Sequence, residues 1–475
     1  MRTKLLIAVA GTTLSLLAAS TPAYADTTAD LLLRLKEKGI LTEDEYNTLL
    51  NRRTEEVRAA PAATPAASAN AANVQTETKS AAETVAGDDK SIVRMAEGGG
   101  MTFGGVTLKV SGSVNGFYTY DKGEKPGLNT TVDGGLATVG SQSTSSVRNG
   151  LLPGFIKFDV TTTQLGIDVG AHFGLYPGIN SVTNVGGANS PGNPVGLSTS
   201  GIDARQTYLT FGTKQLGTVK IGRDIGLFGS DAILNDITLL GVGTASGNAG
   251  PSNTSLGRIG IGYIYTDWIP QITYTTPSFA GLQVSAGVFT PLATAGRNEV
   301  NGSPGFQAKV SYDYKDDQIA VRAWVGGITQ KHDEYLGIPQ YTGRAVDLGA
   351  KLTYGPLGVT GYYYTGKGVG TTGLFILATD DFGNKRKSDG FYVQGTLGFG
   401  KVTVAGSYGE SNLDLARGEI NPTLVSKNSS YVGQLRYGLT PWVTLLSEYT
   451  HTISEAHGIN EAESDSIAAG AILFF

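Results

Sequence analysis

Most of the chain, from about residue 102 onward, alternates apolar and polar residues with a period of two. In "VTLKVSGSVNGFYTY", which begins at Val106, most apolar residues fall on one face, and threonine, lysine, serine and asparagine fall on the other. The stretch "QLGIDVGAHFGLY", which begins at Gln164, repeats this pattern, and so do the last residues, 467–475. Such alternation predicts β-strands with one apolar face, and about ten residues are enough for a tilted strand to cross a membrane.

The alternating pattern marks about sixteen segments of strand length. The chain contains 67 glycines, many of them inside these segments. Glycine is depleted in ordinary strands but is tolerated on a face that contacts water, so a membrane barrel explains the pattern better than a soluble β-sandwich. Short and long connections alternate, as periplasmic turns and outer loops do in outer-membrane barrels. The predicted strands are residues 106–120, 153–162, 165–175, 202–211, 216–223, 256–275, 281–290, 305–314, 318–328, 345–354, 357–366, 389–398, 400–409, 428–438, 442–451 and 467–475.

Composition and charge narrow the possible functions. The chain has 475 residues, of which 16% are charged, and its formal net charge is −5. Soluble domains usually contain about 25% charged residues, and nucleic-acid-binding proteins carry basic surfaces, so we expect no nucleic-acid partner. The chain contains no cysteine, which excludes disulfides, thiolate metal ligands and cysteine nucleophiles.

The start of the chain has a different pattern from the rest. Residues 1–25 combine two cations, an apolar stretch and the small-residue sequence "AYA", which predicts a signal peptide cleaved before Asp26. Residues 26–58 have the apolar stripe and capping residues of amphipathic helices. This stripe fits either self-association as a coiled coil or small bundle, or a helical hairpin packed on itself. Residues 59–100, rich in alanine, proline, threonine and serine, are predicted to form a flexible periplasmic linker.

The barrel region resembles the general Gram-negative porins. The stretch "ARQTYLTFGTKQLGTVKIGRDIGLFGSDAILND", from Ala204, has the family's arginine-led strand, short "LG" turn and strand ending in "GRD", followed by a long loop. Residues 258–289 are similar to the hairpin after that loop, with "YTTPSFAG" at residues 274–281, and the terminal Phe475 also matches. The resemblance spans roughly residues 102–475 and implies a constriction loop folded into the barrel.

The resemblance also implies where the pore is narrowest. In such porins the inward loop carries acids that face basic residues on the barrel wall. Here the loop falls on residues 225–255, with Asp231 and Asp236 as its acids. The family's wall arginines fall on Arg205 and Arg258. This loop lacks the "PEFG" tip that some members have, so its detail differs from theirs.

Two lysines are further candidates for the basic wall. Lys157 and Lys220 each stand between two apolar residues on a predicted strand, so alternation points them into the lumen. Opposed charges across a narrow passage orient polar solutes and set ion preference. For each cation of the wall the alternative is a solvated lumen residue with no role in selectivity.

No catalytic chemistry is evident in the sequence. The four histidines do not have the spacing of metal ligands, and no nucleophile elbow or phosphate-binding loop is present. We therefore expect no enzyme, no metal and no cofactor, although outer-membrane lipases and proteases keep an enzyme open as an alternative.

The sequence predicts an outer-membrane porin, an antiparallel β-barrel of about sixteen strands over residues 101–475 that passes small hydrophilic solutes and ions passively. The alternatives are a substrate-specific channel and a structural or adhesive barrel without transport. The expected partners are outer-membrane lipid, lipopolysaccharide, the solutes and two further copies in a homotrimer. Residues 26–58 would form a three-stranded bundle or, alternatively, contact the cell wall. As in the family, Phe475 is expected to end at the membrane interface and to signal barrel insertion.

Overall fold

The computed structural model describes residues 94–95, 100–123, 129–137, 143–180, 202–244 and 254–475. The chain divides into a unit of Met1–Ala86 and a unit of Gly87–Phe475, and every described residue belongs to the second unit. The predicted signal peptide, the predicted helices and most of the predicted linker lie outside the described residues. Near the end of that linker range, Arg94–Met95 pairs with the short strand Met101–Phe103.

Sixteen long antiparallel strands form a closed barrel. They are β1 (Val106–Gly123), β2 (Phe155–Gln164), β3 (Ile167–Pro177), β4 (Ile202–Thr213), β5 (Gly217–Ile225), β6 (Trp268–Thr275), β7 (Leu282–Phe289), β8 (Gly305–Lys315), β9 (Ile319–His332), β10 (Tyr341–Tyr354), β11 (Leu357–Lys367), β12 (Lys387–Phe399), β13 (Val402–Leu413), β14 (Val425–Gly438), β15 (Val443–Ala456) and β16 (Glu461–Phe474). Each pairs with the next along the chain, and β16 pairs with β1. A short strand, Thr144–Arg148, adds to β1. The predicted all-β barrel of about sixteen strands is confirmed.

The alternation along each strand separates an outer face from a lumen face. On β1, Val114 and Tyr118 are 57% and 53% exposed, whereas Ser113, Asn115 and Thr119 between and beside them are buried. The outer face of the barrel is thus apolar, as hydrocarbon requires, and the lumen face is polar. Among the described residues, no helix has both the length and the apolar character needed to cross a membrane.

One predicted strand is much shorter than expected. Residues 256–275 were predicted as a single strand, but β6 begins only at Trp268. Gly260 and Gly262 have φ values of 81° and 104°, which are outside the strand region and open to glycine alone at little cost. The apolar residues before Trp268, such as Tyr263, are instead buried inside the barrel, so their alternation resembled a strand without forming one.

The connections have different lengths at the two ends of the barrel. Two to six residues join β2 to β3, β4 to β5, β6 to β7, β8 to β9, β10 to β11, β12 to β13 and β14 to β15. Most of the connections at the opposite end are longer, in agreement with the predicted asymmetry. In barrels of this kind the short turns lie on the periplasmic side and the long loops outside the cell.

The chain terminus completes the closure of the barrel. Phe475 and Gly112 exchange two backbone hydrogen bonds, of 2.9 and 3.0 Å between nitrogen and oxygen. The Phe475 ring covers Gly112 on the outer face, and its centroid lies 6.3 Å from that of Trp442. A side chain at Gly112 would collide with this ring, and its Cβ would lie 2.8 Å from the carbonyl oxygen of Phe155. The seam therefore needs glycine at this position.

We predict that Gly112→Ala destabilises the folded barrel by about 1–3 kcal/mol, the usual cost of overpacking a filled site. The measurement is the temperature at which the folded band is lost in semi-native electrophoresis, which should fall. Gly433→Ala is the matched control, because nothing lies within 4 Å of a Cβ at that strand position. Equal behaviour of the two variants would show that the fit of Phe475 over Gly112 does not contribute.

Candidate functional site

The connection between β5 and β6, residues 226–267, folds into the lumen and is called the constriction loop below. Its described parts are residues 226–244 and 254–267. It contains a short helix, α1 (Ser230–Asn235), which follows Gly229, a residue with φ of 74°. A 3-10 turn over Ile237–Leu240 comes next, and the Asp236 side chain caps it by accepting a 2.9 Å hydrogen bond from the Thr238 amide.

Lumen side chains of the wall hold the first part of the constriction loop. Gln307 on β8 accepts hydrogen bonds from the backbone amides of Leu227 and Phe228, at 2.8 and 2.9 Å. Asp347 on β10 accepts a bond of 3.1 Å from the amide of Gly229. These contacts set the position at which α1 begins.

Asp231 is the principal ionic anchor of the loop. Its side chain is only 4% exposed and receives Lys309 Nζ at 2.7 Å and Arg322 Nε at 2.6 Å. Burial would raise the pKa of Asp231, but the hydrogen bonds and charges of Arg322 and Lys309 outweigh it, so the pKa lies below its usual value. The carboxylate therefore remains ionised and is bonded to cations on both β8 and β9.

The second part of the loop is held by another set of wall residues. Gln394 on β12 accepts from the Ile237 amide at 3.0 Å, and the Ile237 carbonyl accepts from Gln434 and Arg436 on β14. Glu448 on β15 accepts from the amides of residues 242 and 243, at 3.0 and 2.6 Å. The loop thus lies along the wall of β8–β15.

A cavity of about 520 Å³ lies between the loop and the opposite wall of β2–β6. The loop contributes apolar side chains to it, namely Ile233, Leu234 and Leu239. The wall contributes charged and aromatic side chains, which are Lys157, Tyr176, Asp203, Arg205, Arg223 and Trp268, and the last residue of the loop adds Asp267. The narrow part of the lumen therefore has a basic side and an apolar side.

A β-bulge turns Arg205 into the lumen. Leu209 and Phe211 are exposed on the outer face of β4, and simple alternation would place Arg205 with them. The pairing of β3 with β4 shifts register opposite residues 174–176, and a bulge re-aims the side chains beyond it. Arg205 then lies 5.1 Å from the Tyr176 ring centroid, and its Nε donates to Asp203 Oδ2 at 2.7 Å.

The two predicted wall lysines also face the lumen. Lys157 lines the cavity, with its Nζ 5.2 Å from the Phe155 ring centroid. Lys220 lies nearer the short turns, where it forms an ion pair with Asp224 and lies 5.0 Å from the Tyr208 ring centroid. Alternation alone was sufficient to orient both side chains.

Asp236 and Arg258 lie within the constriction loop. The Asp236 carboxylate accepts hydrogen bonds from Thr238 and from the Tyr263 hydroxyl, the latter at 3.0 Å. Arg258 is fully buried, and its guanidinium has no hydrogen-bond partner among the described residues. Because the strand begins only at Trp268, Arg258 belongs to the loop and not to the wall. The structure therefore does not bring the six predicted residues together as two opposed rows of charge.

The comparisons with known proteins agree with this architecture. Residues 59–457 match the model of a family described as Gram-negative porin. The chain belongs to the Gram-negative porin family. It is thus an outer-membrane channel through which small hydrophilic solutes diffuse passively, as the sequence predicted, and this family and fold are typical of channels without enzymatic activity. No match was found among curated proteins.

Two solved structures illustrate the shared fold. The outer-membrane channel DcaP of Acinetobacter baumannii is 17% identical, with a TM-score of 0.59, over 78% of this chain and 98% of that one. The anion-selective porin from Comamonas acidovorans is 14% identical, with a TM-score of 0.54, over 78% of this chain and all of that one. At these identities the likeness concerns the fold alone.

Four cationic residues of the lumen of this porin were not predicted from the sequence. Lys309 and Arg322 hold the loop through Asp231, whereas Lys351 and Arg436 line a second cavity of about 340 Å³ on the other side of Leu234. Each stands between apolar residues on its strand, the same signal that selected Lys157. The signal identifies lumen residues, but it does not reveal which of them the loop covers. Within the described residues, no group of histidine, aspartate and glutamate side chains is arranged to hold a metal ion.

We predict that Asp231→Asn loosens the constriction loop, because Lys309 and Arg322 lose their shared carboxylate. Single-channel recordings at neutral pH should show more open-channel noise and closure at lower voltage. Asp313→Asn is the matched control, since Asp313 also accepts from Arg322 but does not touch the loop. Equal traces for both variants would contradict the anchoring role.

The same anchor should fail in acid. The folded-state pKa of Asp231 lies below its usual value of 3.8, so its stabilising effect is present above that value and is lost as the pH falls through the folded-state pKa. The wild-type channel should therefore become noisy only below about pH 4, whereas the Asp231→Asn channel should be noisy at neutral pH already.

Proposed function

We propose that the channel prefers small anions, and among them those that carry an apolar group. The observation that supports this is the cavity between the loop and the wall. Three cations, Lys157, Arg205 and Arg223, line it against two carboxylates, Asp203 and Asp267.

The two carboxylates leave one of the three cations of the cavity in excess. Asp203 is paired with Arg205 at 2.7 Å. Burial, the largest influence, raises the pKa of Asp267 above its usual value, against the opposing charges of Arg223 and Arg205. The loop acid Asp231, which could have balanced the wall, is bonded on the far side of the loop. The local potential is therefore expected to be positive, and such a potential attracts anions.

The apolar side of the cavity contributes the second part of the preference. A solute that passes Arg205 with its charged end must pass Ile233, Leu234 and Leu239 with its other end. An apolar group loses contact with water there at no cost, whereas a second polar group would lose hydrogen bonds. Small carboxylates with an aliphatic or aromatic body fit both sides.

We predict that Arg205→Ser lowers the anion-to-cation permeability ratio, measured as the reversal potential in a salt gradient across a planar bilayer. A unit charge about 7 Å from the ion contributes about 0.6 kcal/mol in water, roughly a threefold change for each ion; because anion and cation shift in opposite directions, the ratio should fall about sevenfold. The loss of Arg205 also leaves Asp203 without its ion pair, which acts in the same direction.

Lys214→Ser is the matched control for this change, because Lys214 is exposed in a short turn and the variant loses the same charge away from the lumen. An unchanged ratio in Arg205→Ser would refute the role of the basic wall. Current that saturates with one particular anion would indicate a substrate-specific channel instead of a general one.

We further propose that the chain is exported with residues 1–25 as a cleaved signal peptide and assembles as a homotrimer. Residues 26–58 would associate in the periplasm as a three-stranded bundle. Support comes from the apolar stripe of residues 26–58, which is narrow enough for a coiled-coil seam.

Deletion of residues 26–58 should leave the conductance of each pore intact, because the described barrel closes without them. If they form the bundle, the trimer band in unheated detergent gels should disappear at a lower temperature than in the full chain. An unchanged trimer that instead loses its attachment to purified cell wall would favour the tether. Loss of conductance would show that these residues help to build the pore.

A further inference from the structure

Three cations form a row across neighbouring strands at the long-loop end of the barrel. Arg344 on β10 lies directly opposite Lys367 on β11, and Lys367 lies directly opposite Lys387 on β12. A fourth cation, Lys385, lies in the loop just before β12 and donates from Nζ to the Thr342 carbonyl at 3.2 Å. These four residues are called the basic rim below.

The basic rim lies on the outside of the barrel. Arg344, Lys367 and Lys387 alternate in phase with Val346, Tyr363 and Val393, which are 52%, 40% and 47% exposed on the outer face. Their side chains therefore point away from the pore, at the level where the strands leave the membrane on the side of the long loops. Solutes in the lumen do not meet them.

No carboxylate forms an ion pair with the basic rim in the described part of the chain. The neighbouring Arg386 points inward and pairs with Glu419, so this segment does use ion pairs where its cations are buried. Asp389, two residues from Lys387, accepts a hydrogen bond from Asn412 on the next strand at 3.1 Å. Partial burial, with the charges of Lys367 and Arg344, lowers the pKa of Lys385. Like charges placed in register are destabilising, so a ligand that balances them would be stabilising.

An apolar groove on the outer wall begins beside the basic rim. Its volume is about 970 Å³, and Arg344 forms part of its lining. Ala308 on β8 lies directly opposite Gly327 on β9, and Gly327 lies opposite Val346 on β10. Ala308 and Gly327 form the floor, and Phe306 and Val288 form raised sides. A groove of this kind in the lipid-facing wall fits a hydrocarbon chain.

We propose that the basic rim and the groove together bind a phosphorylated, multiply acylated lipid of the outer leaflet, with phosphate on the cations and an acyl chain over Ala308 and Gly327. Charge complementarity favours this occupant, since phosphate supplies the anion that the described residues do not. Position favours it as well, because headgroup and acyl chain are stacked at this depth of a membrane. The proposal depends on the outer-membrane location of the barrel and is independent of the selectivity of the pore.

The test uses the purified full-length chain in detergent, titrated with lipopolysaccharide and, separately, with its enzymatically dephosphorylated form. The variant Lys367→Gln/Lys385→Gln/Lys387→Gln should bind lipopolysaccharide at least about tenfold more weakly, since bonds to charged groups carry that much free energy. Wild type should bind the dephosphorylated lipid with a similar loss. A variant with arginine at the three positions should regain most of the affinity.

Two controls make the outcome specific. Lys214→Gln/Lys315→Gln/Lys401→Gln removes three exposed charges at the short-turn end and should leave the affinity unchanged. Gly327→Leu, which fills the groove, should weaken lipopolysaccharide binding without altering the folded band in semi-native gels. Equal losses in the rim variant and the short-turn variant would overturn the proposal, because binding would then follow net charge.

Two further results would overturn it in different ways. If inorganic phosphate competes with lipopolysaccharide at equal concentration, the rim is a site for free anions and the groove has no part in it. If Gly327→Leu changes the oligomeric state and leaves lipid binding intact, the groove is occupied by a second copy of the chain. Neither result would bear on the ion preference of the pore, which is measured by reversal potential.

Discussion

A strand that crosses a membrane has no water to hydrogen-bond its peptide groups, so it must be hydrogen-bonded to a neighbouring strand on both sides. This constraint explains why the last strand must pair with the first. The hydrogen bonds between Phe475 and Gly112 close the barrel. The aromatic ring of Phe475 fills the space beside Gly112, which has no side chain. Closure in turn creates a lumen whose polar side chains can hold a loop.

The constriction loop is attached to one side of that lumen. Four lumen-facing side chains accept hydrogen bonds from backbone amides that the loop cannot pair within its short helix. They are Gln307, Asp347, Gln394 and Glu448. Because these residues belong to β8–β15, the loop covers that wall and leaves β2–β6 open. The pore is therefore asymmetric, with a basic side formed by strands and an apolar side formed by the loop.

Much of the fold could be predicted from the sequence, and less of the site. Period-two alternation located nearly every strand and oriented Lys157 and Lys220, because side-chain direction on a regular strand depends only on parity. The same rule would have placed Arg205 outside, since it cannot detect a bulge. It also extended one strand over Arg258, where positive φ values at glycines break the period. The partners of Asp231 depend on which wall the loop meets, and that is a long-range property of the closed barrel.

The charged residues differ in how completely nearby opposite charges balance them. Balanced residues anchor the loop, whereas residues with unbalanced charge are available to solutes or lipids. Asp231 is bonded to two cations and is nearly buried, so it anchors the constriction loop. Arg205 is paired with one carboxylate in a cavity that still has an excess of cations, which suits a transient encounter with a passing anion. The row from Arg344 to Lys387 has no ion-pair partner in the described residues, yet it stays in register on a rigid wall. Charge that the fold arranges and leaves unbalanced is best explained by a partner outside the chain.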